Sequence, residues 1–381
     1  MKPMVERLGE EAALGIRVPP RVYSWEVLTS RPFLGVVMAE RVLHGVNLSG
    51  WLILEPWVTP ELFAGSGSLG EDTLAESLGE DVYAELLLRH WDTFITEDDF
   101  AQIAQRGLNA VRILVPWYVF GDKGPNAGYH LGCLTQVDNA LSWAAKYDIS
   151  ILLTFGINPG APGEENVISV GGSGHREDLL VVLSALAKRY ADWPAFFGIE
   201  VANNPVAQHR RGFSVVPGVP LHVLRNFYRD AYAAVRNEAG PRPVIVFPDA
   251  GLPGAWRSFM APKRYQNVWL DCHLYHYSDH VDATGPAGTR LLVNASRKTL
   301  KEAEKSGLPV MVGTWSGALP FADSAMTPEG RIALERVYVA DQLRTFADRP
   351  AWFFQTWKTS GRLSGWDSRL ALSSFERGML V

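Results

Sequence analysis

Residues able to do chemistry collect at the ends of short apolar runs. Asn47 and Glu55 follow the first run, Arg112 sits within the second, and Asn203 and Asn204 follow the fourth. Asp249 closes the fifth, His273 and Tyr275 the sixth, Thr314 and Trp315 the seventh, and Trp357 and Lys358 the eighth. Gathered in a ring, such groups suit a sugar or polyol: each hydroxyl needs a donor or acceptor, and each ring face favours an aromatic plane. His273 and Tyr275 alternate onto one face of a strand. Histidine titrates near neutrality and tyrosine can donate or accept a proton, so the two are candidates for acid/base work. They are equally suited to holding a ligand or the neighbouring loops. The stretch "HLYHYSDH" also offers His273, His276, His280 and Asp279 as metal ligands. A continuing strand sends His273 and His276 to opposite faces, and a metal needs convergent ligands, so no metal and no cofactor are expected.

The elements that must position these residues alternate along the chain. Eight β-rich runs, from "LHGVNLSGW" to "AWFFQTW", are mostly separated by amphipathic stretches. "TEDDFAQIAQRG" opens on a Thr96…Asp99 capping box and stops at Gly107. "RLLVNASRKTLKEAEKSG" stops at Gly307 just before the seventh run. Several strand runs are continuously apolar, as in parallel strands covered by helices. Eight strand–helix units predict the α/β class, as a single (β/α)8 TIM barrel. Residues 41–381 form that barrel, with 1–40 as an N-terminal extension packed on it. Long loops over 52–92 and 205–220 then fall on its C-terminal face, where such barrels build their sites.

Bulk properties remove other classes. With 47% hydrophobic and 20% charged residues, the composition is that of a globular chain with a large core. The net charge is −5 and no Lys/Arg run occurs, so no nucleic-acid partner is expected. No apolar run approaches the ~20 residues that span a bilayer, so no membrane partner is expected. The N-terminal stretch has no apolar core of an export signal, which leads to a cytoplasmic expectation. Cys133 and Cys272 are not spaced as a metal knuckle and are read as buried free thiols. The expected partner is a small-molecule or carbohydrate-like ligand; nothing in the sequence speaks to oligomeric state.

Longer motifs carry a resemblance. "HGVNLSGWLILEPWVTPELF", "LGEDVYAELLLRHWDTFITEDDFAQIAQRGLNAVRI", "ALSWAAKYDISILLTF", "FFGIEVANNPV", "LDCHLYH", "VGTWSGAL" and "FQTWKTSG" follow one another in the order of glycoside hydrolase family 5. Over roughly residues 43–380 the chain resembles that family's fungal-type exo-β-1,3-glucanases. The resemblance implies a retaining glycosidase with two glutamates ~5–5.5 Å apart, an acid/base after the fourth strand and a nucleophile after the seventh. The first belongs to an Asn-Glu-Pro motif, which here reads Asn203-Asn204-Pro205; the second belongs to Gly-Glu-Trp, which here reads Gly313-Thr314-Trp315.

The departures extend further. The family's stretch after the third strand reads "FGINPGAPG" (Phe155 to Gly163), and Gln355 and Ser360 stand for a tryptophan and a glutamate. Glu55, Arg112, Asn203, His273, Tyr275 and Trp357 match the family's pocket residues, and Glu200 and Asp249 match family carboxylates. Glu164 and Glu165 in the altered loop are candidate substitute carboxylates, although a solvated loop pair is the plainer reading.

The resulting expectation is a pseudo-glycosidase, repurposed for cyclisation, elimination or isomerisation of a sugar-like or polyoxygenated metabolite. His273, Tyr275 and Glu55 would handle protons, and Arg112, Asn203, Asn204, Asp249, Thr314 and Trp357 would bind the ligand. One alternative is a non-catalytic glycan-binding or glycoside-binding protein. Another is an atypical glycosidase using a loop carboxylate or substrate assistance.

Overall fold

The computed structural model describes residues 41–121, 132–156, 173–211, 214–276, 283, 285–320 and 326–375. The expected N-terminal extension, Glu164, Glu165, Asp279, His280 and the third-strand loop beyond Gly156 therefore lie outside the described residues.

Eight parallel strands close into a barrel. In chain order they are β1 (Leu43–Asn47), β2 (Ala110–Val115), β3 (Ser150–Phe155), β4 (Phe196–Glu200), β7 (Val244–Pro248), β8 (Val268–Leu274), β9 (Val310–Trp315) and β10 (Ala351–Phe354). Between β4 and β7 a small antiparallel hairpin, β5 (His209–Arg211) with β6 (Ser214–Val216), interrupts what the sequence reads as plain loop. The eight apolar runs are thus the eight barrel strands, each followed by helical structure.

Alternation along each strand divides the core into two shells. Ile151, Leu153 and Phe155 face outward, into the large cluster shared with the helices. Leu152 faces inward, joining Leu43, Ala110, Phe197, Val244, Trp269, Met311 and Phe353 in a separate inner cluster. That inner cluster fills the barrel as packed side chains. The interior leaves no slack at Gly198, where an added Cβ would meet the Val244 carbonyl oxygen at 2.1 Å.

The segment 52–92, expected as a loop, is largely helical. Helices Glu71–Leu78 and Glu80–Phe94 are separated at Gly79, whose φ of 78° ends the first. Leu74, Tyr83, Leu87 and Trp91 form their buried face. Buried Glu71 ties this insert to the barrel mouth: it accepts from the Leu54 N–H at 2.8 Å and the Tyr83 hydroxyl at 2.6 Å, and from Tyr118. Among the described residues no helix is long and apolar enough to cross a membrane.

The helix Glu97–Gln105 carries the expected capping box, with the Thr96 N–H donating to Asp99 Oδ2 at 2.9 Å. Asp99 also closes the barrel's seam. It accepts from Trp357 Nε1 at 2.8 Å and from Lys358 Nζ at 2.7 and 2.8 Å. Replacing it removes a cap and leaves a buried indole N–H and a largely buried ammonium without their acceptor. Asp99→Ala is expected to lower unfolding free energy by about 3 kcal/mol, read from urea denaturation. An unchanged midpoint would show that the seam does not depend on this carboxylate.

Candidate active site

A cavity of about 490 Å³ opens at the C-terminal ends of the strands. Its walls combine Ser49, Glu55 and Trp57 after β1, Arg112 and Leu114 of β2, and Asn203 and Asn204 after β4. His273 and Tyr275 of β8 and its extension, Thr314 of β9 and Gln355 after β10 complete the floor and far side. Leu363 and Trp366 close the rim. Trp366 stands 5.2 Å from Trp57 and 6.0 Å from Tyr275, ring centre to ring centre, so one side of the mouth is aromatic.

Beneath the cavity lies a polar layer made by inward positions of adjacent strands. Arg112 donates from Nε to Glu200 Oε2 at 2.7 Å, from one Nη to Asn47 Oδ1 at 2.7 Å, and from the other to Asn203 Oδ1 at 3.0 Å. Glu200 accepts a second bond from Thr154 Oγ1 at 2.9 Å. Next to it, His273 Nε2 lies 2.9 Å from Asp271 Oδ2 and 3.8 Å from Glu200 Oε1. Asp271 also accepts from the Gly313 backbone N–H. Gly313 permits this approach because a Cβ there would sit 1.9 Å from Asp271 Oδ2.

The charges of this layer sum to zero when His273 is protonated: Arg112 and His273 against Glu200 and Asp271. Burial opposes the Glu200 charge, but the Arg112 guanidinium, its hydrogen bond and the nearby His273 outweigh it and hold the carboxyl down at about 2. Burial likewise opposes the imidazolium. The Asp271 charge, its hydrogen bond and Glu200 outweigh that, and lift His273 to about 9. Burial pushes Asp271 up, against the pull of the His273 charge. His273 is therefore an imidazolium at neutral pH, a proton donor rather than the ready base of an acid/base pair.

The remaining expected residues fall into place differently. Glu55 lines the cavity with its carboxylate held, Oε1 by the Gly50 N–H at 2.9 Å and Oε2 by Trp57 Nε1 at 2.8 Å. Asn204 adopts φ 42°, a left-handed conformation that asparagine tolerates better than most residues. Arg112 reaches the cavity wall but has all three nitrogens engaged below it, so it positions Asn203 instead of meeting a ligand with a free fork.

Two expectations need correction. Trp357 is fully buried and points away from the cavity, toward Asp99 and the outer shell, because the chain turns where Thr356 Oγ1 and the Trp357 N–H both reach the Asn47 carbonyl. Its place at the floor is taken by Gln355. Asp249 is also absent from the cavity wall. It caps the Gly251 N–H at 2.9 Å, and burial raises it to about 6.

Sequence reasoning missed Asp271 as a partner, although "DCHLY" places Asp271, His273 and Tyr275 at one-face spacing. Trp57 and Trp366 carried no signal of their own.

Glu200, Asp271 and His273 offer atoms within 4.8 Å of one another, the spacing of a metal triad. Arg112 and the imidazolium already neutralise the two carboxylates. A divalent ion would have to displace the His273 proton and sit against a guanidinium, so the donor set fits an ion-pair network better than a cation. His276 is buried elsewhere, with Nε2 2.8 Å from Ser296 Oγ.

Comparison with known proteins agrees with this architecture. Residues 79–328 match the family model described as Cellulase (glycosyl hydrolase family 5). The "Probable glucan 1,3-beta-glucosidase A" of Emericella nidulans is 32% identical over 88% of this chain and 90% of its own length. The "Glucan 1,3-beta-glucosidase" of Blumeria graminis is 31% identical over 83% of this chain and 82% of its own. Among solved structures, the rutinosidase from Aspergillus niger superposes with a TM-score of 0.70 at 19% identity, covering 87% of this chain and 94% of that one.

The sign of the His273 shift gives a test. Its pKa is raised from 6.5 to about 9, so its contribution to stability is complete below about 6.5 and is lost as pH rises through about 9. Imidazole nitrogen NMR should show His273 titrating near 9 in the wild type. In Asp271→Asn the midpoint should fall toward or below 6.5, because the main raising charge is gone while burial remains. A wild-type midpoint near 6.5 would refute the imidazolium assignment.

Proposed function

The chain belongs to glycosyl hydrolase family 5, and from that premise we propose a barrel that has given up retaining hydrolysis and now takes a sugar-like or polyoxygenated small molecule. The observation that carries this reading is the pair Asn204 and Thr314. They line the cavity at the two strand ends where the resemblance places the acid/base and the nucleophile. An amide cannot deliver a proton as a carboxylic acid does, and losing general acid catalysis alone costs roughly 10²–10⁴ in rate. Thr314 has no base to activate it: Thr314 Oγ1 has no hydrogen-bond partner among the described residues. The nearby carboxylates are committed, Glu200 and Asp271 to Arg112 and His273, and Glu55 to Gly50 and Trp57.

The ligand class follows from the surfaces that remain. Aromatic rings at the rim favour flat faces, and the neutral floor favours uncharged hydroxyls over strong ions. Within this pocket His273 carries a proton at neutral pH, with Tyr275 and Glu55 beside the same space. That set supports a transformation begun by protonating a ligand oxygen, such as elimination, isomerisation or ring closure, without a glycosyl-enzyme intermediate. The second reading, binding without turnover, is favoured by the engagement of both Glu55 oxygens, which holds that carboxylate against Gly50 and Trp57.

The full chain is expected to release no aryl alcohol from 4-nitrophenyl β-glucoside above the buffer rate. It should also gain no mass after incubation with a 2-deoxy-2-fluoroglucoside inactivator. Turnover together with one trapped sugar per chain would overturn the proposal. Asn204→Glu combined with Thr314→Glu should recover little hydrolysis, because Gln355 still replaces the aromatic plane at the floor. Robust hydrolysis by the double variant would show that the pocket is still a glucan site.

A further inference from the structure

A second cavity, of about 570 Å³, shares no lining residue with the one at the barrel mouth. Glu61 and Leu62 of the short 3-10 helix Pro60–Phe63 supply one part of its wall. The rest is one face of the helix Glu80–Phe94, because Val82, Glu85, Leu86, Arg89, His90 and Thr93 recur at spacings of three and four. Tyr83, Leu87 and Trp91 of the same helix are the residues buried in the core, so packing does not consume the face toward the cavity. The most buried residue of the lining, His90, stacks on Phe94 with ring centres 4.8 Å apart. His90 Nε2 lies 2.7 Å from the Gly50 carbonyl, so that nitrogen carries the hydrogen and Nδ1 is left as an acceptor. Burial lowers the His90 pKa and keeps the ring neutral at pH 7.

The charged groups of the lining are largely unengaged. Glu61 gives Oε1 to the Ser360 hydroxyl at 2.7 Å and has no partner for Oε2 among the described residues. Glu85 and Arg89 stand four apart, in the order that favours an ion pair on a helix. Yet neither side chain has an ion pair or hydrogen bond among the described residues. The lining thus sets two carboxylates against one guanidinium, beside a neutral imidazole and the apolar surface of Leu62, Val82, Leu86 and Phe94. Lys358 approaches Phe94 from outside the lining, 5.3 Å from the ring centre, with its charge matched by Asp99. We propose that this cavity is a ligand site separate from the barrel mouth, and that it takes a small primary amine, in its ammonium form, on an alkyl or aryl body. An ammonium has three N–H donors and no acceptor, which matches a lining of carboxylates and an imidazole acceptor. The apolar body covers Leu62 and Leu86, both half-buried. The volume falls within the range of small-molecule sites, about 300–1,000 Å³. An anion would meet the two carboxylates, and a neutral alcohol would bring one donor and no charge. Arg89 is the like charge, and its exposed side chain lets the head turn into water.

The probes are hexylamine and 2-phenylethylamine, both protonated at neutral pH. Hexan-1-ol and 2-phenylethanol serve as uncharged controls and hexanoate as the anionic one. Binding to the full chain is followed by calorimetry and by imidazole nitrogen NMR. Each amine should bind about tenfold more tightly than the matching alcohol. It should move the His90 signals and leave those of His273 in place. Glu85→Gln should raise the amine Kd roughly threefold to tenfold, the factor for one exposed charged hydrogen bond. Arg89→Gln should lower it, since removing a like charge helps only a cation. Both residues are exposed, so these variants keep the fold. Leu363→Ser, at the rim of the barrel cavity, should leave the amine Kd unchanged. The proposal fails if the alcohols or hexanoate bind as tightly as the amines, or if Glu85→Gln has no effect. It fails equally if the amines move His273 instead of His90, which would place them in the barrel cavity.

Discussion

Arg112 carries a guanidinium into the barrel interior, where it is 2% exposed, and the layer above it depends on how that charge is matched. A buried cation is tolerated only when paired and hydrogen-bonded. Glu200 supplies the countercharge, and Asn47 and Asn203 take the remaining nitrogens. The same bonds tie β1, β2 and the end of β4 together directly under the cavity. Asn47 passes the constraint on: its Nδ2 donates to the Gly313 carbonyl at 3.0 Å, fixing the end of β9 as well.

The second ion pair, His273 with Asp271, completes the neutral layer and sets the chemistry available. An imidazolium bracketed by two carboxylates gives a proton or a hydrogen bond but does not take a proton near neutrality. Asp271 also fixes the Gly313 backbone, so the electrostatics of the floor and the position of Thr314 share one carboxylate. A glycine at 313 is the steric condition for that sharing. The fold thus spends its buried carboxylates on holding the floor, and the cavity above is lined chiefly by amides, hydroxyls and aromatic rings.

The framework below the cavity and much of the cavity wall are thus built from different residues. Arg112, Glu200, Asn203 and His273 stabilise one another below the cavity. Asn204, Thr314 and Gln355 line the cavity at the ends of three different barrel strands and take no part in the ion pairs of the layer beneath.

Much of the fold was legible in the sequence. Eight apolar runs with intervening amphipathic stretches specify a barrel, because parallel strands buried on both faces must be continuously apolar. The Thr96…Asp99 box and the stop at Gly307 are local chemistry, readable within a few residues. Most of the candidate site was legible too, since barrel geometry brings strand ends together at one face whatever their separation in the chain. Local pattern misled in three places. From Ala351 and Phe353 it sends both Gln355 and Trp357 inward, but the chain turns at Thr356 onto the Asn47 carbonyl, and Trp357 goes to Asp99. From Met311 it sends Gly313 inward, toward Asp271, and leaves Thr314 outside, but a register shift between Asp271 and His273 brings Thr314 opposite His273 and onto the cavity wall as well. Across 52–92 the chain reads as loop, yet it folds as two helices whose buried faces acquire a core only against the barrel. The sequence determined the elements and the residue types at their ends, because those depend on neighbours a few positions away. The tertiary structure decided which side chains meet the cavity and which charges are already spent, because strand register and buried ion pairing are set between strands far apart in the chain.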